Sequence, residues 1–197
     1  TIRNLGLFAQ ADWEISDQWR LSGGLRYERF DISTPDFINP TDEAIGGGDV
    51  DFDDIVFNAG VVFQATPELS LYASFAQGFS APPISRILNT ASQGFDFGRD
   101  TDISSPQKVD NYEIGVRGEW ETVQFSLATF FNESDLGTTL VRLNPNDFNL
   151  TPIRAPQRNY GVEGSLDWQP IEDWQFGGTL TWFIGEVDFP GDGEGFL

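Results

Sequence analysis

The side chains best suited to chemistry are a few arginines and phenylalanines on long polar stretches. Arg86, Phe95, Phe97 and Arg99 fall within 80–107, and Arg142, Phe148 and Arg154 within 133–157. A guanidinium donates paired hydrogen bonds to carboxylate- or catecholate-type oxygens, and a phenyl ring supplies an apolar wall. Arg86, Phe95, Phe97, Arg99, Arg142 and Arg154 are therefore the expected small-ligand contacts. The same residues serve as well to pack one loop on another. The chain has no His and no Cys, which excludes Ser-His and Cys-His catalysis and imidazole or thiolate metal centres. No catalytic residue, metal ligand set or cofactor site is assigned, and an enzyme is not expected.

Acidic residues are the other conspicuous feature. Formal net charge is −20 at pH 7. Nucleic acid is excluded as a partner, because phosphate contacts need Lys and Arg. Asp36, Asp42, Glu43, Asp49, Asp51, Asp53 and Asp54 follow one another with no base between them. Asp49-Val50-Asp51-Phe52-Asp53 starts like an EF-hand calcium loop. However, Asp54 stands where that loop needs its turn-forming Gly, and Gly60 stands where it needs a bidentate Glu. A solvated loop is the better reading of 36–54. A rim this acidic repels anionic solutes and favours neutral or cationic ones.

The elements that carry these stretches are strands. Short turn signals recur at Ser16-Asp17-Gln18, Thr66-Pro67-Glu68, Glu121-Thr122-Val123 and Gln169-Pro170-Ile171-Glu172-Asp173, about fifty residues apart. Each is flanked by period-2 alternation, so the repeating unit is a β-hairpin. In the first hairpin Leu5, Leu7, Ala9, Ala11, Trp13 and Ile15 precede the turn, and Trp19, Leu21, Gly23, Leu25 and Tyr27 follow it. Phe57–Phe63 with Leu69–Phe75, Tyr112–Trp120 with Phe125–Phe131, and Tyr160–Trp168 with Trp174–Trp182 repeat the pattern. The expectation is an all-β antiparallel meander of eight strands in four hairpins.

Each alternating run is long enough to cross a bilayer at a tilt. The connections between hairpins (32–54, 80–107, 133–157 and the tail from 186) are long and polar, whereas the turns within hairpins are short. Alternating short and long connections are the periplasmic and extracellular sides of an outer-membrane barrel. Trp13, Trp19, Trp120, Trp168 and Trp174 all stand on the apolar face beside short turns, as an aromatic girdle requires. A soluble sandwich would place them at strand centres. Leu5, Leu25, Leu71, Ile114, Leu127, Leu166 and Leu180 should then face lipid. Arg20, Arg26, Glu28, Glu113, Arg117, Glu163 and Asp167 should line the interior, with Phe8, Phe130 and Phe183 among them.

Four stretches resemble the TonB-dependent outer-membrane receptor family of ferric-siderophore type, in the family's order. They are Leu5-Gly6-Leu7-Phe8-Ala9-Gln10 with Trp19–Tyr27, Leu69–Phe75 running into Gly78-Phe79-Ser80-Ala81-Pro82, Val109–Arg117, and Asn159-Tyr160-Gly161-Val162-Glu163-Gly164. The resemblance implies a transmembrane barrel of about 22 strands closed by a plug. It also implies uptake of a scarce nutrient, most simply a ferric siderophore, energised through TonB. Residues 1–197 would be part of that one barrel domain, in contact with outer-membrane lipid. The plug, the N-terminal segment that meets TonB and the remaining strands would lie outside the chain. The alternative from another class is a complete eight-stranded outer-membrane barrel with a structural or adhesion role. The lack of Met and the loop-like Gly191–Leu197 end favour a mature or excised piece of a larger barrel.

Overall fold

The computed structural model describes residues 1–40, 42–80, 97, 107–141, 151–189 and 196, with the backbone alone at 80, 136, 138–141 and 151–154. The strands are β1 (Ile2–Glu14), β2 (Trp19–Thr34), β3 (Phe37–Ile38), β4 (Ala44–Ile45), β5 (Gly48–Thr66), β6 (Leu69–Ser80), β7 (Gln107–Glu119), β8 (Val123–Val141), β9 (Thr151–Ile171) and β10 (Trp174–Val187). Eight of them form one antiparallel sheet in the order β1-β2-β5-β6-β7-β8-β9-β10, and β3–β4 is a small separate hairpin. Among the described residues each long strand pairs only with its neighbouring long strands along the chain. The sheet is thus a meander, as the four-hairpin reading expects.

Local chemistry closes the short turns. The Ser16 hydroxyl accepts from the backbone N–H groups of Gln18 (3.3 Å) and Trp19 (3.2 Å), while Ile15 N–H donates to Trp19 C=O at 2.9 Å. At the second turn Thr66 Oγ1 accepts from Glu68 N–H at 3.3 Å, and Gln64 Nε2 donates to Thr66 C=O at 2.7 Å. Ser and Thr side chains that occupy backbone groups in this way favour turns over continued strand.

Two of the long connections are shorter than the sequence suggests. The β2–β5 ladder runs past residue 32 to Thr34↔Gly48, and the β8–β9 ladder reaches Val141↔Thr151. The acidic run is therefore strand over much of its length. Asp49, Asp51 and Asp53 alternate with Val50, Phe52 and Asp54 across β5 and pair with Ser33, Asp31 and Arg29. Asp49, Asp51 and Asp53 thus share one face of an extended strand, spaced about 7 Å apart along it, and do not wrap around one ion as the ligands of an EF-hand loop must.

The cause is a change of phase. Below Tyr27 the odd residues of β2 are apolar (Trp19, Leu21, Leu25), but above it the even ones are (Phe30, Ile32). On β5 the switch runs from Phe57, Val61 and Phe63 to Val50, Phe52 and Val56. The extension beyond the switch is a half-buried strand pair with its apolar side reversed. Ile32, Val50 and Phe97 are its buried core, with Phe52 packed against them.

The sheet is open. β1 and β10 lie at its two edges, and no pairing joins them among the described residues. A closed eight-stranded barrel is not what this chain forms.

The sheet also has a seam. Among the described residues the β5–β6 ladder ends at Asn58↔Ala76, whereas β5 runs on to Gly48 and β6 runs on paired with β7 to Ser80↔Gln107. By parity Phe79 and Lys108 belong with Phe75 and Tyr112 on one face. Phe30, Phe52 and Asp54 belong to the other. Yet Phe79 lies 5.7 Å from Phe30 and 6.1 Å from Phe52, and Lys108 Nζ donates to Asp54 Oδ1 at 2.9 Å. Above the seam, the β2–β5 extension therefore overlaps the β6–β7 extension face to face, like shingles.

Candidate functional site

The odd face of β2 and its continuation around the sheet is apolar and bare. Leu25 is 60%, Ile114 59% and Leu180 75% exposed, and Leu5, Leu71, Leu127 and Leu166 are exposed with them. Water would penalise an apolar surface this continuous. No helix among the described residues is long and apolar enough to cross a membrane, so any crossing falls to strands.

Aromatic rows bound this face at both ends. At the short-turn end, Trp19 packs on Phe63 (4.7 Å), Trp120 on Phe125 (5.8 Å), and both Trp168 and Trp174 on Phe176 (5.8 Å). At the other end, Phe57, Phe75, Tyr112 and Phe131 form a chain with centroids 5.0, 4.9 and 6.2 Å apart, and Phe131 pairs with Tyr160. The next row up is wholly polar: Gln77, Asp110, Glu133, Arg158 and Glu186 are successive register partners. Arg158 pairs with Glu186, which also accepts from the Tyr160 hydroxyl at 3.1 Å, and Gln77 donates to Asp110 at 2.9 Å. The second aromatic row escaped the sequence reading because its members count equally well as ordinary apolar-face residues. Its signal is the all-polar row one step beyond it.

On β7 and β9, eight residues separate the rows (Trp120 to Tyr112, Trp168 to Tyr160). That is about 26 Å along the strand and about 20 Å across a bilayer at a tilt near 40°.

The opposite face is polar and networked. Tyr72 donates to Glu113 Oε1 at 2.5 Å, and the Arg117 guanidinium lies 4.4 Å over the Tyr72 ring. Gly115 leaves room for that ring, since a Cβ there would sit 2.6 Å from it. Arg26 pairs with Glu28, and Ser126 shares a hydrogen bond with Ser165 at 2.8 Å. Phe8 and Phe183 stand on this face, exposed on the two edge strands.

The ligand contacts expected from sequence belong to the long-connection end. Phe97 is placed there: it is only 2% exposed, donates from its N–H to Gly46 C=O at 3.3 Å, and is sandwiched against Ile32 and Val50. In this position its ring anchors the connection between β6 and β7 on the β2–β5 extension. Arg154 has its backbone in β9, opposite Thr138. Arg86, Phe95, Arg99, Arg142 and Phe148 lie outside the described residues. Nearby, Arg29 donates to Asp31 at 3.0 Å with Asp51 at 3.4 Å. The hydrogen bond to Asp31, reinforced by the charges of Asp31 and Asp51, holds this guanidinium above its ordinary pKa. Arg20 is paired with Glu14.

An open antiparallel meander with a bare apolar band, two aromatic girdles, short turns at one end and a polar opposite face defines a segment of transmembrane β-barrel wall. The TonB dependent receptor-like β-barrel family model matches residues 1–196. The chain belongs to the TonB-dependent receptor family, whose barrels lie in the bacterial outer membrane. It is 28% identical to the ferric aerobactin receptor of Klebsiella pneumoniae over 89% of this chain and 27% of that protein. It is 29% identical to the rhizobactin receptor of Rhizobium meliloti, over 80% and 24%. The fold matches the ferric yersiniabactin uptake receptor of Yersinia pestis with a TM-score of 0.74 at 19% identity, covering 94% of this chain and 27% of that one. It matches the copper transporter OprC at 0.77 and 16%, covering 94% and 29%. The chain thus spans about a quarter of the length of these relatives. The short turns are periplasmic, the apolar face meets lipid, the polar face meets the lumen, and the long connections are extracellular.

Proposed function

We propose that this chain supplies eight wall strands and their extracellular connections to an outer-membrane receptor that imports a ferric siderophore, with energy delivered through TonB. The plug, the TonB-contacting segment and the remaining strands belong to the rest of the receptor. Its role is transport, not catalysis. The observation that carries the reading is family membership across 1–196, together with relatives whose names specify ferric aerobactin and rhizobactin.

Charge supports a particular set of contacts. Among the described side chains, Arg20, Arg26, Arg29, Lys108 and Arg158 are each paired with an acid, and Arg117 covers Tyr72. Apart from Arg3 on the edge strand β1, the wall's bases are spent on the wall. Arg86, Arg99, Arg142 and Arg154, in the long connections, are the bases best placed to meet a ligand's oxygens, with Phe95 as an apolar wall and Phe97 fixing the connection that carries Arg86, Phe95 and Arg99. A net charge of −20 favours a neutral or cationic iron complex over an anionic one.

The test is iron uptake by cells that express the full receptor with Arg86, Arg99, Arg142 and Arg154 all changed to Ala. Uptake of the natural complex should fall to background while the receptor's abundance in the outer membrane holds. Undiminished uptake would dismiss these contacts.

A further inference from the structure

We propose that one row of asparagine side chains on the lumen face is a specificity-determining contact for the transported complex, and that it reads uncharged amide and hydroxyl groups on the complex's outer surface. This rests on the receptor reading given above. Gly24, Asn58, Ala76, Asn111, Asn132 and Asn159 are successive register partners from β2 to β9. By parity all six lie on the lumen face, with Arg26, Tyr72, Glu113 and Glu163. Five asparagines stand in the eight long strands, and four of them share this row. Asn is disfavoured in strands, where Thr would be equally wet and would suit the pleat better. A local rule broken four times at one level is characteristic of a functional site.

The wall itself does not account for these amides. Asn111 alone serves it, donating from Nδ2 to Ala76 C=O at 2.9 Å and to Val109 C=O at 3.3 Å. Asn58, Asn132 and Asn159 make no hydrogen bond among the described residues, so each keeps two donors and an acceptor oxygen for something else. Glycines give the outer two room: a Cβ on Gly24 would lie 2.8 Å from Asn58 Nδ2, and one on Gly185 2.7 Å from Asn159 Oδ1. Asn111, Asn132 and Asn159 stand on adjacent strands and together span about 10 Å. Phe130, half-buried two residues below Asn132 on the same face, puts an aromatic ring beneath them. A few placed polar groups beside a ring are the usual make-up of a small-molecule contact.

Level and charge identify what the row meets. Tyr112, Phe131 and Tyr160 of the outer aromatic row are the next residues along their strands, and Asn58↔Ala76 is the last rung of the β5–β6 ladder. A solute that has passed the extracellular connections meets this row as it enters the membrane-embedded hoop. From Gln10 on β1 to Gly185 on β10 the row carries no charge, whereas Glu113, Arg117, Glu163 and Asp167 follow below. A carboxylate or catecholate is better met by a guanidinium. An amide or hydroxyl finds both a donor and an acceptor in a carboxamide.

The test is uptake of radioactive iron by cells whose only iron-complex receptor is the full-length protein. Two probes are used: a neutral ferric trihydroxamate on a cyclic peptide, and trianionic ferric tris(2,3-dihydroxybenzoate), which has no amide. The wild type should favour the peptide complex. Changing Asn58, Asn132 and Asn159 to Leu, with Asn111 left in place, should raise its apparent KM about fivefold for each amide removed, the equivalent of about 1 kcal/mol per hydrogen bond. Maximal rate and outer-membrane abundance should hold. Changing the same three to Gln, which keeps the carboxamides, should restore most of the affinity. An unchanged KM in the Leu variant would overturn this proposal alone, and preference for the amide-free complex would overturn the ligand class. A Leu variant that admits vancomycin with its KM unchanged would place a protein segment of the receptor on the row instead of a solute. Uptake of neither complex by the wild type would overturn the receptor reading together with this proposal.

Discussion

Leu180→Arg is the substitution that probes the wall most directly. Leu180 lies four residues from Phe176 in the periplasmic aromatic row. It lies another four from Ile184, the partner of Tyr160 in the outer row. It is thus about 13 Å along the strand from each girdle and at the bilayer midplane. It is 75% exposed on the apolar face, so an arginine there has only lipid around it, and the cost at the midplane is about 2–4 kcal/mol. The adjacent Thr181 points to the lumen, and its cross-strand partner is Glu163. An arginine there stays in water beside a carboxylate and should cost well under about 1 kcal/mol. The two substitutions, one residue apart, should differ by about 2–3 kcal/mol, or roughly 30- to 150-fold in the folding equilibrium. Denaturant titration of the full receptor into lipid vesicles measures this, with Leu180→Gln separating lost apolarity from added charge. Equal costs, or a larger one at Thr181, would refute the assignment of faces and with it the membrane orientation of every strand.

Three further outcomes follow from particular contacts. Gly115→Val drives a side chain into the Tyr72 ring and should destabilise the receptor by about 1–3 kcal/mol; adding Tyr72→Ala should recover most of that loss in a double-mutant cycle. Phe97→Ala removes the largest buried side chain of the extracellular core and should weaken that region by about 3 kcal/mol. Hydrogen exchange should then quicken about a hundredfold at Ile32 and Val50 while the β7–β8 ladder is untouched. Arg29→Ala, at an exposed ion pair, should leave the unfolding midpoint unmoved, and a clear shift would show that the pair is shielded from solvent in the whole receptor.

The hairpins were legible because period 2 and the turn residues agree. Leu5 to Ile15, with Phe8 the one exception, and Trp19 to Tyr27 alternate, and Ser16-Asp17-Gln18 supplies the turn between them. Lipid facing was legible too, since indoles crowd beside short turns where a membrane interface holds them there. The upper ends of β2, β5, β8 and β9 were not. On β2 and β5 alternation continues there, but its phase reverses, so Asp49, Asp51 and Asp53 read as a solvated loop when they are the wet side of a strand. Phe97 could not be assigned in advance because an anchor and a ligand wall require the same ring. Only its burial against Ile32 and Val50 distinguishes them. The seam at Asn58↔Ala76 left no trace in the residues on either side, which are ordinary strand formers.

That seam bears on how the mouth of the receptor can yield. A barrel's girth is ordinarily fixed by its strand count and stagger, and widening it means tearing a row of backbone hydrogen bonds. Where the β2–β5 and β6–β7 extensions merely overlap, hoop tension falls on the contacts of Phe79 with Phe30 and Phe52 and on the pair between Lys108 and Asp54. Among the described residues no ladder bond joins the two extensions. Load across this join is therefore carried by side chains, whereas below Asn58↔Ala76 it is carried by backbone hydrogen bonds.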